Sequence, residues 1–348
     1  MQHFNLNIAF VAYRLPNSNE IRLLEAETIE KFRFSGQENL FTEESFIVVP
    51  FDNENRTAYR LRGKETLFNT TQEGKPAHTS DRKTQIAPSL LSEELKGAYF
   101  SAFEKIKAAI YAGTVQKAIL ARQQVVENII SHRATDFFLH LCEAQPAAYC
   151  YLLNLPGEGV WLGASPELFL RRKDREMNTV SLAGTKKSAA AWSEKEVDEQ
   201  AIVSRYIENI LNSFGIKNFE REAVATVSAS GVEHLKTVFH FPAAALSGKA
   251  GAFAAALHPS PAVCGYPKEA AKQLIIHTEQ HDRALYSGFL GKVAADGNFE
   301  LFVNIRCMQL IDNKAIVYAG GGITAQSEAE AEFAETELKA KFLVDLLV

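Results

Sequence analysis

Cysteine is scarce in this 348-residue chain, and its four cysteines form no Cys-x-x-Cys pair. That spacing argues against a cysteine-type zinc site and against a disulfide framework. Runs of five or more basic residues are also missing, and the formal net charge is -5. Because sequence-independent nucleic-acid binding needs a dense positive footprint, we expect no nucleic-acid partner.

Long apolar runs are absent as well. The N-terminal segment has only a six-residue apolar run without preceding basic residues, which is not typical of a signal peptide. The apolar-rich stretch 241–258 contains two glycines and is interrupted by Lys249, so we expect it not to span a membrane. With 47% hydrophobic and 23% charged residues, the composition is that of a globular protein. Taken together with the cysteine pattern and the lack of a signal peptide or membrane span, it predicts a cytoplasmic protein.

The pattern of the chain changes near residue 90. Residues 1–90 contain short β-like runs between polar stretches, and 69–88 is predicted to be an exposed loop. Residues 91–348 alternate long amphipathic segments with strand-like runs joined by short turns. We therefore predict a β-rich N-terminal part and a second region over 91–348. The alternation favours an α+β fold with large antiparallel sheets covered by helices over a doubly wound parallel sheet.

Residue periodicity predicts the elements of the second region in some detail. Helices are expected over 92–113, 193–214, 267–288 and 329–347. Strands are expected over 115–129, 147–155 and 159–172, followed by a meander of strands over 288–323.

Two acidic pairs occur within these helices. Glu196 with Glu199, and Glu332 with Glu335, are each spaced i, i+3 and so project from one helix face. If the two helices converge, four carboxylates share a pocket, and oxygen-only ligands of high negative charge suit Mg²⁺. The alternative is that both pairs lie on solvated helix faces.

Three charged residues interrupt apolar surroundings. Lys117 lies in an apolar strand, where burial would lower its pKa and make it a base, unless its ammonium reaches water from the strand end. Glu167 follows a strand and a proline, and is either a general acid or a turn residue. Arg306 lies in another apolar strand and is suited to binding a carboxylate or to a structural ion pair.

Two glycine-containing segments, 182–185 and 319–322, could bring backbone N–H groups close to an anion or could simply mark turns. His234 is either a polar contact at a site or a structural histidine.

Taken in order, many separate motifs carry a resemblance to a known family. QKAILARQ, GASPEL, LAGT, SEKEVDEQ, EHLKT, LHPSPAVCGYPKEAA, EQHDRALYSGFLG, VNIRC, YAGGGI and EAEFAETELKAK resemble the chorismate-utilising enzymes over about 90–348. They are most similar to the isochorismate synthase branch. The resemblance implies a fold of two similar halves, with layered β-sheets and outer helices around a central cleft.

The resemblance also implies a role for each matched position. Lys117 matches the general base that activates water, and Glu167 matches the general acid. Substrate-binding positions fall on Gly184, His234, Ala262, Arg306, Gly321 and Lys339. The Mg²⁺-binding positions fall on Glu196, Glu199, Glu332 and Glu335. The reaction implied is the Mg²⁺-dependent conversion of chorismate to isochorismate, by attack of water at C2 and loss of the C4 hydroxyl.

Single positions separate the branches of the family. Ala183 stands where aminodeoxychorismate synthases carry a lysine nucleophile, and Lys117 stands where anthranilate synthases usually have glutamine. We therefore expect water rather than ammonia as nucleophile, and no glutaminase subunit. Ala262 favours a plain synthase, although a salicylate synthase, which goes on to eliminate pyruvate, remains open, as does a non-catalytic dicarboxylate-binding relative.

The chain also departs from the family pattern at Gln200, where the metal helix usually has histidine, at Asp198, and at Ser260. The expected assembly is a monomer. The product could enter menaquinone, siderophore or salicylate biosynthesis.

Overall fold

The computed structural model describes residues 4–37, 39–69, 91–129, 131–186, 190–229 and 231–347. The helices are α1 Leu91–Tyr111, α2 Ala134–Ala144, α3 Glu194–Ser213, α4 Ala250–Leu257, α5 Lys268–Thr278 and α6 Ala329–Leu347. The strands are β1 Phe10–Arg14, β2 Glu20–Phe32, β3 Ser45–Val49, β4 Ala58–Asn69, β5 Lys117–Glu127, β6 Tyr149–Leu155, β7 Gly159–Ser165, β8 Leu168–Lys173, β9 Glu176–Lys186, β10 Glu220–Arg221, β11 Ala225–Ala229, β12 Val232–Pro242, β13 Gly265–Tyr266, β14 Phe289–Val293, β15 Phe299–Val303, β16 Cys307–Ile311 and β17 Lys314–Ile323.

The strands form one hydrogen-bonded path in which every pairing within the described ranges is antiparallel. The path runs β13–β5–β17–β16–β7–β6–β1–β2–β4–β3–β14–β15–β8–β9–β12, and β10 and β11 both pair with β12. The N-terminal strands β1–β4 lie in the middle of this path. A domain boundary near residue 90 stays a prediction.

Helices cover the two halves of the path on their outer faces. Helices α2 and α6 pack on the half that contains β6, β7, β16 and β17, with Phe138 and Leu343 fully buried. Helices α3 and α4 cover the half that contains β8, β9, β12 and β14. An aromatic layer separates the halves, and in it Tyr149 stacks on Phe302 at 4.2 Å between ring centroids. This layering confirms the predicted α+β fold.

Several predicted elements need correction. The strand predicted over 159–172 is two strands, because Pro166 lacks an N–H for the ladder and the chain bends at Glu167. The helix predicted over 267–288 ends at Thr278. The predicted meander is two hairpins, β14–β15 and β16–β17, because residues 304–306 are not in a strand and separate β15 from β16. Arg306 lies in this connecting segment, with φ +51°, rather than inside a strand.

Several elements had no sequence prediction, among them β2, β9, β12, α2 and α4. Strand β2 carries acidic residues on an exposed face, so its composition is not typical of a strand. Helix α2 is short, and its apolar residues also fit a buried strand. The loop predicted at 69–88 lies outside the described residues beyond Asn69. Within the described part of the chain, none of the helices combines the length and apolarity that crossing a bilayer requires.

Candidate active site

A cavity lies where the two ends of the strand path approach each other. Strands β5 and β17 form one side, strands β9 and β12 the other, and helices α3 and α6 add side chains. Most of the residues singled out from the sequence line it: Lys117, Glu167, Gly184, Glu199, His234, Ala262, Arg306, Glu335 and Lys339. Glu196, Gly321 and Glu332 lie outside this lining.

Lys117 is the first residue of β5, and it is buried, at 1% exposure. Its Nζ lies 3.2 Å from Oε1 of Glu199 on α3. This contact depends on Gly322 of β17, because a Cβ there would lie 1.8 Å from Glu199 Oε1 and 2.9 Å from Lys117 Cε. The sequence alternative of a side chain that reaches water from the strand end is therefore wrong.

Glu167 lies at the bend between β7 and β8 and is also buried. Its backbone N–H donates to Ser165 Oγ at 3.2 Å, which fixes the bend. Burial raises the pKa of the Glu167 carboxyl to about 8, against the opposing charges of Lys117 and Lys339. The carboxyl is therefore protonated at neutral pH and can donate a proton into the cavity.

Each of three glutamates at the site is paired with a lysine. Besides the Lys117–Glu199 pair, Glu335 lies 2.6 Å from Lys339 within α6, and Glu332 pairs with Lys195 of α3. Burial raises the pKa of Glu332. Burial opposes ionisation of Glu335 too, but Lys339 holds the pKa of that carboxyl below its ordinary value. The lysines thus neutralise a cluster of carboxylates that would otherwise repel one another.

Glu196 does not join the other three glutamates, contrary to the prediction that four carboxylates converge. Its Oε2 accepts hydrogen bonds from the N–H of Ser193 at 3.0 Å and from Ser193 Oγ at 2.5 Å, forming a capping box at the start of α3. The side chain serves the helix terminus, and three carboxylates rather than four approach the cavity.

The remaining glutamates fit a divalent cation by their chemistry. Oε2 of Glu332 is buried without a hydrogen-bond partner. A Cβ on Gly321 would lie 3.2 Å from that atom and 3.8 Å from Glu335 Oε1, so both carboxylates face the same bare backbone. Among the described residues, no three His, Cys, Asp or Glu side chains already stand as a ligand set. The donors nevertheless are all oxygens, which suits Mg²⁺ once the lysines release them.

Next to these carboxylates the cavity also carries positive charge, on Arg306 and Lys339. Arg306 Nη1 donates to the carbonyl of Lys339 at 3.0 Å, and burial lowers the pKa of the guanidinium to about 10, which still leaves it charged. Nδ1 of His234 lies 2.9 Å from the carbonyl oxygen of Gly184, so Nδ1 carries the proton and Nε2 faces Arg306 Nη2 at 3.5 Å.

The His234 ring is neutral at physiological pH, because burial, together with Arg306 and Lys339, lowers its pKa to about 3. The ring therefore adds no charge of its own and serves to orient the arginine.

Sequence reasoning missed four residues of this neighbourhood. Lys195 pairs with Glu332 across 137 residues of sequence, which periodicity cannot reveal. Thr185 Oγ1 lies 3.3 Å from His234 Nδ1, and its place in the 182–185 segment was the available signal. Tyr286 stacks on Tyr318 at 5.3 Å, and both rings line the cavity.

Comparisons with known proteins identify relatives of this arrangement. Residues 28–345 match the family described as chorismate binding enzyme. The isochorismate synthase EntC of Escherichia coli K12 is 30% identical over 263 residues, which cover 70% of this chain and 66% of that protein. Component 1 of anthranilate synthase from Streptomyces coelicolor is 30% identical over 254 residues, which cover 68% of this chain and 48% of that protein.

A solved structure shares the whole architecture. It is described as a 2,3-dihydroxybenzoate-specific isochorismate synthase, DhbC from Bacillus anthracis, and it superposes with a TM-score of 0.84 at 24% identity, covering 99% of this chain and 97% of that chain. At this level of identity the likeness establishes a common fold.

Proposed function

The chain belongs to the chorismate binding enzyme family, and from that premise we propose that it converts chorismate to isochorismate. The observation that carries the proposal is the meeting of Lys117 and Glu167, a buried amine and a buried protonated carboxyl, in one cavity with a cluster of carboxylates. The relative EntC of E. coli, an isochorismate synthase by name, supports the same activity.

In the proposed reaction, Lys117 takes a proton from a water molecule as its oxygen attacks ring C2. Glu167 donates its proton to the departing C4 hydroxyl, which leaves as water while the ring double bonds shift. One water is added and one is lost, so the overall reaction is an isomerisation. The salt bridge with Glu199 holds Lys117 as an ammonium, so Lys117 must lose that proton before it can accept one from water.

The substrate carboxylates have two different partners in this proposal. Arg306 and Lys339 supply positive charge in the cavity, and the neutral His234 ring holds the guanidinium in place. Glu199, Glu332 and Glu335 would hold a Mg²⁺ ion. When bound, Mg²⁺ would neutralise the ring carboxylate and polarise the conjugated diene.

Water rather than ammonia is the proposed nucleophile. In this proposal Lys117 would serve as the base that deprotonates water, whereas ammonia needs no such activation. Ala183 and Ala262 both line the cavity and bring no nucleophile or hydrogen-bonding side chain of their own. We therefore propose that the protein works without a glutaminase subunit, as a monomer.

The test is to incubate purified protein with chorismate and Mg²⁺ and to quantify isochorismate, salicylate and pyruvate. We expect isochorismate without pyruvate, lost on chelation and in Lys117→Ala. Lys272→Ala is the matched control, because Lys272 is also a buried, ion-paired lysine but pairs with Asp52 and lies outside the cavity. Equimolar pyruvate and salicylate would move the assignment to a salicylate synthase, and absence of conversion would refute both activities.

A further inference from the structure

A buried ion pair lies just after α5, outside the cavity lining. Glu279 and Arg283 have side chains only 2% and 4% exposed. Arg283 Nη2 lies 2.6 Å from Glu279 Oε1, and Nε lies 2.8 Å from Oε2, so the carboxylate is held by two parallel hydrogen bonds. This geometry is the strongest that an arginine and a carboxylate can form, and it fixes both side chains rigidly.

The pair continues the hydrogen bonding of β5 where its neighbouring strand stops. Strand β13 and the residues beside it form hydrogen bonds with one edge of β5 as far as Ile119, whose N–H donates to the carbonyl of Cys264 at 2.7 Å. Beyond that point, Arg283 Nη2 donates to the Ile119 carbonyl at 2.8 Å, and Glu279 Oε1 accepts from the Ala121 N–H at 2.7 Å. The two side chains thus take the place of a strand along this part of the edge.

Arg283 also contacts the segment that precedes β13. Its Nη1 donates to the carbonyl of Val263 at 2.8 Å, and its guanidinium lies 4.4 Å from the centre of the Phe51 ring. Val263 and Ile119 both line the cavity, and Ile119 is two residues beyond Lys117 on the same strand. One arginine therefore joins the strand that carries the amine to the loop that carries Ala262.

We propose that Glu279 and Arg283 are positioning residues for the reaction, which fix Lys117 relative to the 262–263 wall of the cavity. The expected effect of the pair on kcat rests on the function proposed above. Its expected effect on the hydrogen bonding of β5 does not. Small displacements of a reacting group lower rate far more than they lower substrate binding. Loss of the pair should therefore reduce kcat and leave KM almost unchanged.

The experiment compares Arg283→Lys and Glu279→Gln with wild type. A lysine at 283 keeps the charge, but its single ammonium cannot donate to Ile119, Val263 and Glu279 in the arginine's geometry. Arg14→Lys is the matched control. Arg14 is also a buried arginine, and it donates to the carbonyls of Gln145 and Pro146, but it does not line the cavity.

Each variant is measured for kcat and KM with chorismate and saturating Mg²⁺, for thermal stability, and for amide hydrogen exchange over 117–121. We expect kcat to fall at least about tenfold in Arg283→Lys, with KM changed less than about threefold. Exchange at Ala121 should accelerate. Arg14→Lys should lose thermal stability while its kcat stays within about twofold of wild type.

The proposal is overturned if Arg283→Lys loses stability as the control does and keeps wild-type kcat, since the pair would then be structural only. Unchanged exchange at Ala121 would overturn it equally. If Arg283→Lys does not fold, Glu279→Gln decides by the same measurements. If wild-type enzyme makes no isochorismate, the proposed function fails, and the exchange data still decide whether the pair holds β5.

Discussion

Replacing Glu167 by glutamine should stabilise the protein at alkaline pH while it abolishes activity. Burial raises the pKa of this carboxyl from 4.5 to about 8. Below pH 4.5 the group is protonated in the folded and the unfolded chain, and no penalty arises. As the pH rises above 4.5, the unfolded chain ionises and the folded one does not, so folding stability falls until about pH 8 and is then constant.

The size of the effect follows from the same values. At about 1.4 kcal/mol per pKa unit, the gap between 4.5 and about 8 amounts to about 5 kcal/mol in the alkaline limit. Between pH 5 and pH 8 the wild type should lose about 3 kcal/mol through this one group. Glutamine has nearly the same shape and does not ionise, so Glu167→Gln should escape that loss.

The assay is urea unfolding of wild type and Glu167→Gln at pH 5 and pH 8. The difference in unfolding free energy between the two proteins should move in favour of the variant by about 3 kcal/mol over that interval, while product formation falls at least about 100-fold. Any fixed cost of the new amide cancels between the two pH values.

Glu65→Gln is the control in this assay. Although burial opposes it, Lys292 and Tyr13 hold the Glu65 pKa below its ordinary value, so its substitution should cost almost the same at both pH values. A pH-independent difference for Glu167→Gln would refute the raised pKa and with it the acid role.

Three further outcomes are expected. The kcat/KM of the wild type should fall about tenfold per pH unit above about pH 8, as Glu167 of the free enzyme loses its proton, and a flat profile up to pH 10 in steady-state assays would exclude that group as the acid. Lys195→Met should bind Mg²⁺ about tenfold more tightly in calorimetry without substrate, because Lys195 competes for the Glu332 carboxylate; equal or weaker binding would show that it does not compete. Gly322→Ala should lower kcat at least about 100-fold, because the new Cβ would lie 1.8 Å from Glu199 Oε1. Gly97→Ala in α1 is the control, because a Cβ at residue 97 would have no neighbour within 4 Å. This variant should keep wild-type kcat and gain about 1 kcal/mol of stability in urea unfolding.

How much of this molecule the sequence predicts depends on the range of each interaction. Helix α6 and strand β5 are governed by local periodicity, and their predicted bounds agree with the structure to within a few residues. The partners of the glutamates are different, because Lys195 and Glu332 meet across 137 residues and no local pattern encodes the meeting. Arg306 could not be placed either, since a positive φ is rare for arginine and only the surrounding fold imposes it.

The same limit applies to Glu196. Its i, i+3 spacing from Glu199 holds in α3, but the capping box at Ser193 uses the side chain for the helix terminus. Spacing predicts from which face of a helix a side chain projects. The hydrogen-bond donors nearby decide where its carboxylate binds.

The long antiparallel path has a consequence for assembly of the protein. Lys117 lies on the second strand of the path and His234 on the last, so the cavity exists only after the whole path has curled and its ends have met. Neither half of the path contains all the residues that line the cavity, and contacts of such long sequence separation are slow to form. A dicarboxylate bound in the cavity would contact both ends of the path and hold them together. Saturation with ligand at 100 times its Kd should raise the stability of the entire fold by about 2.7 kcal/mol.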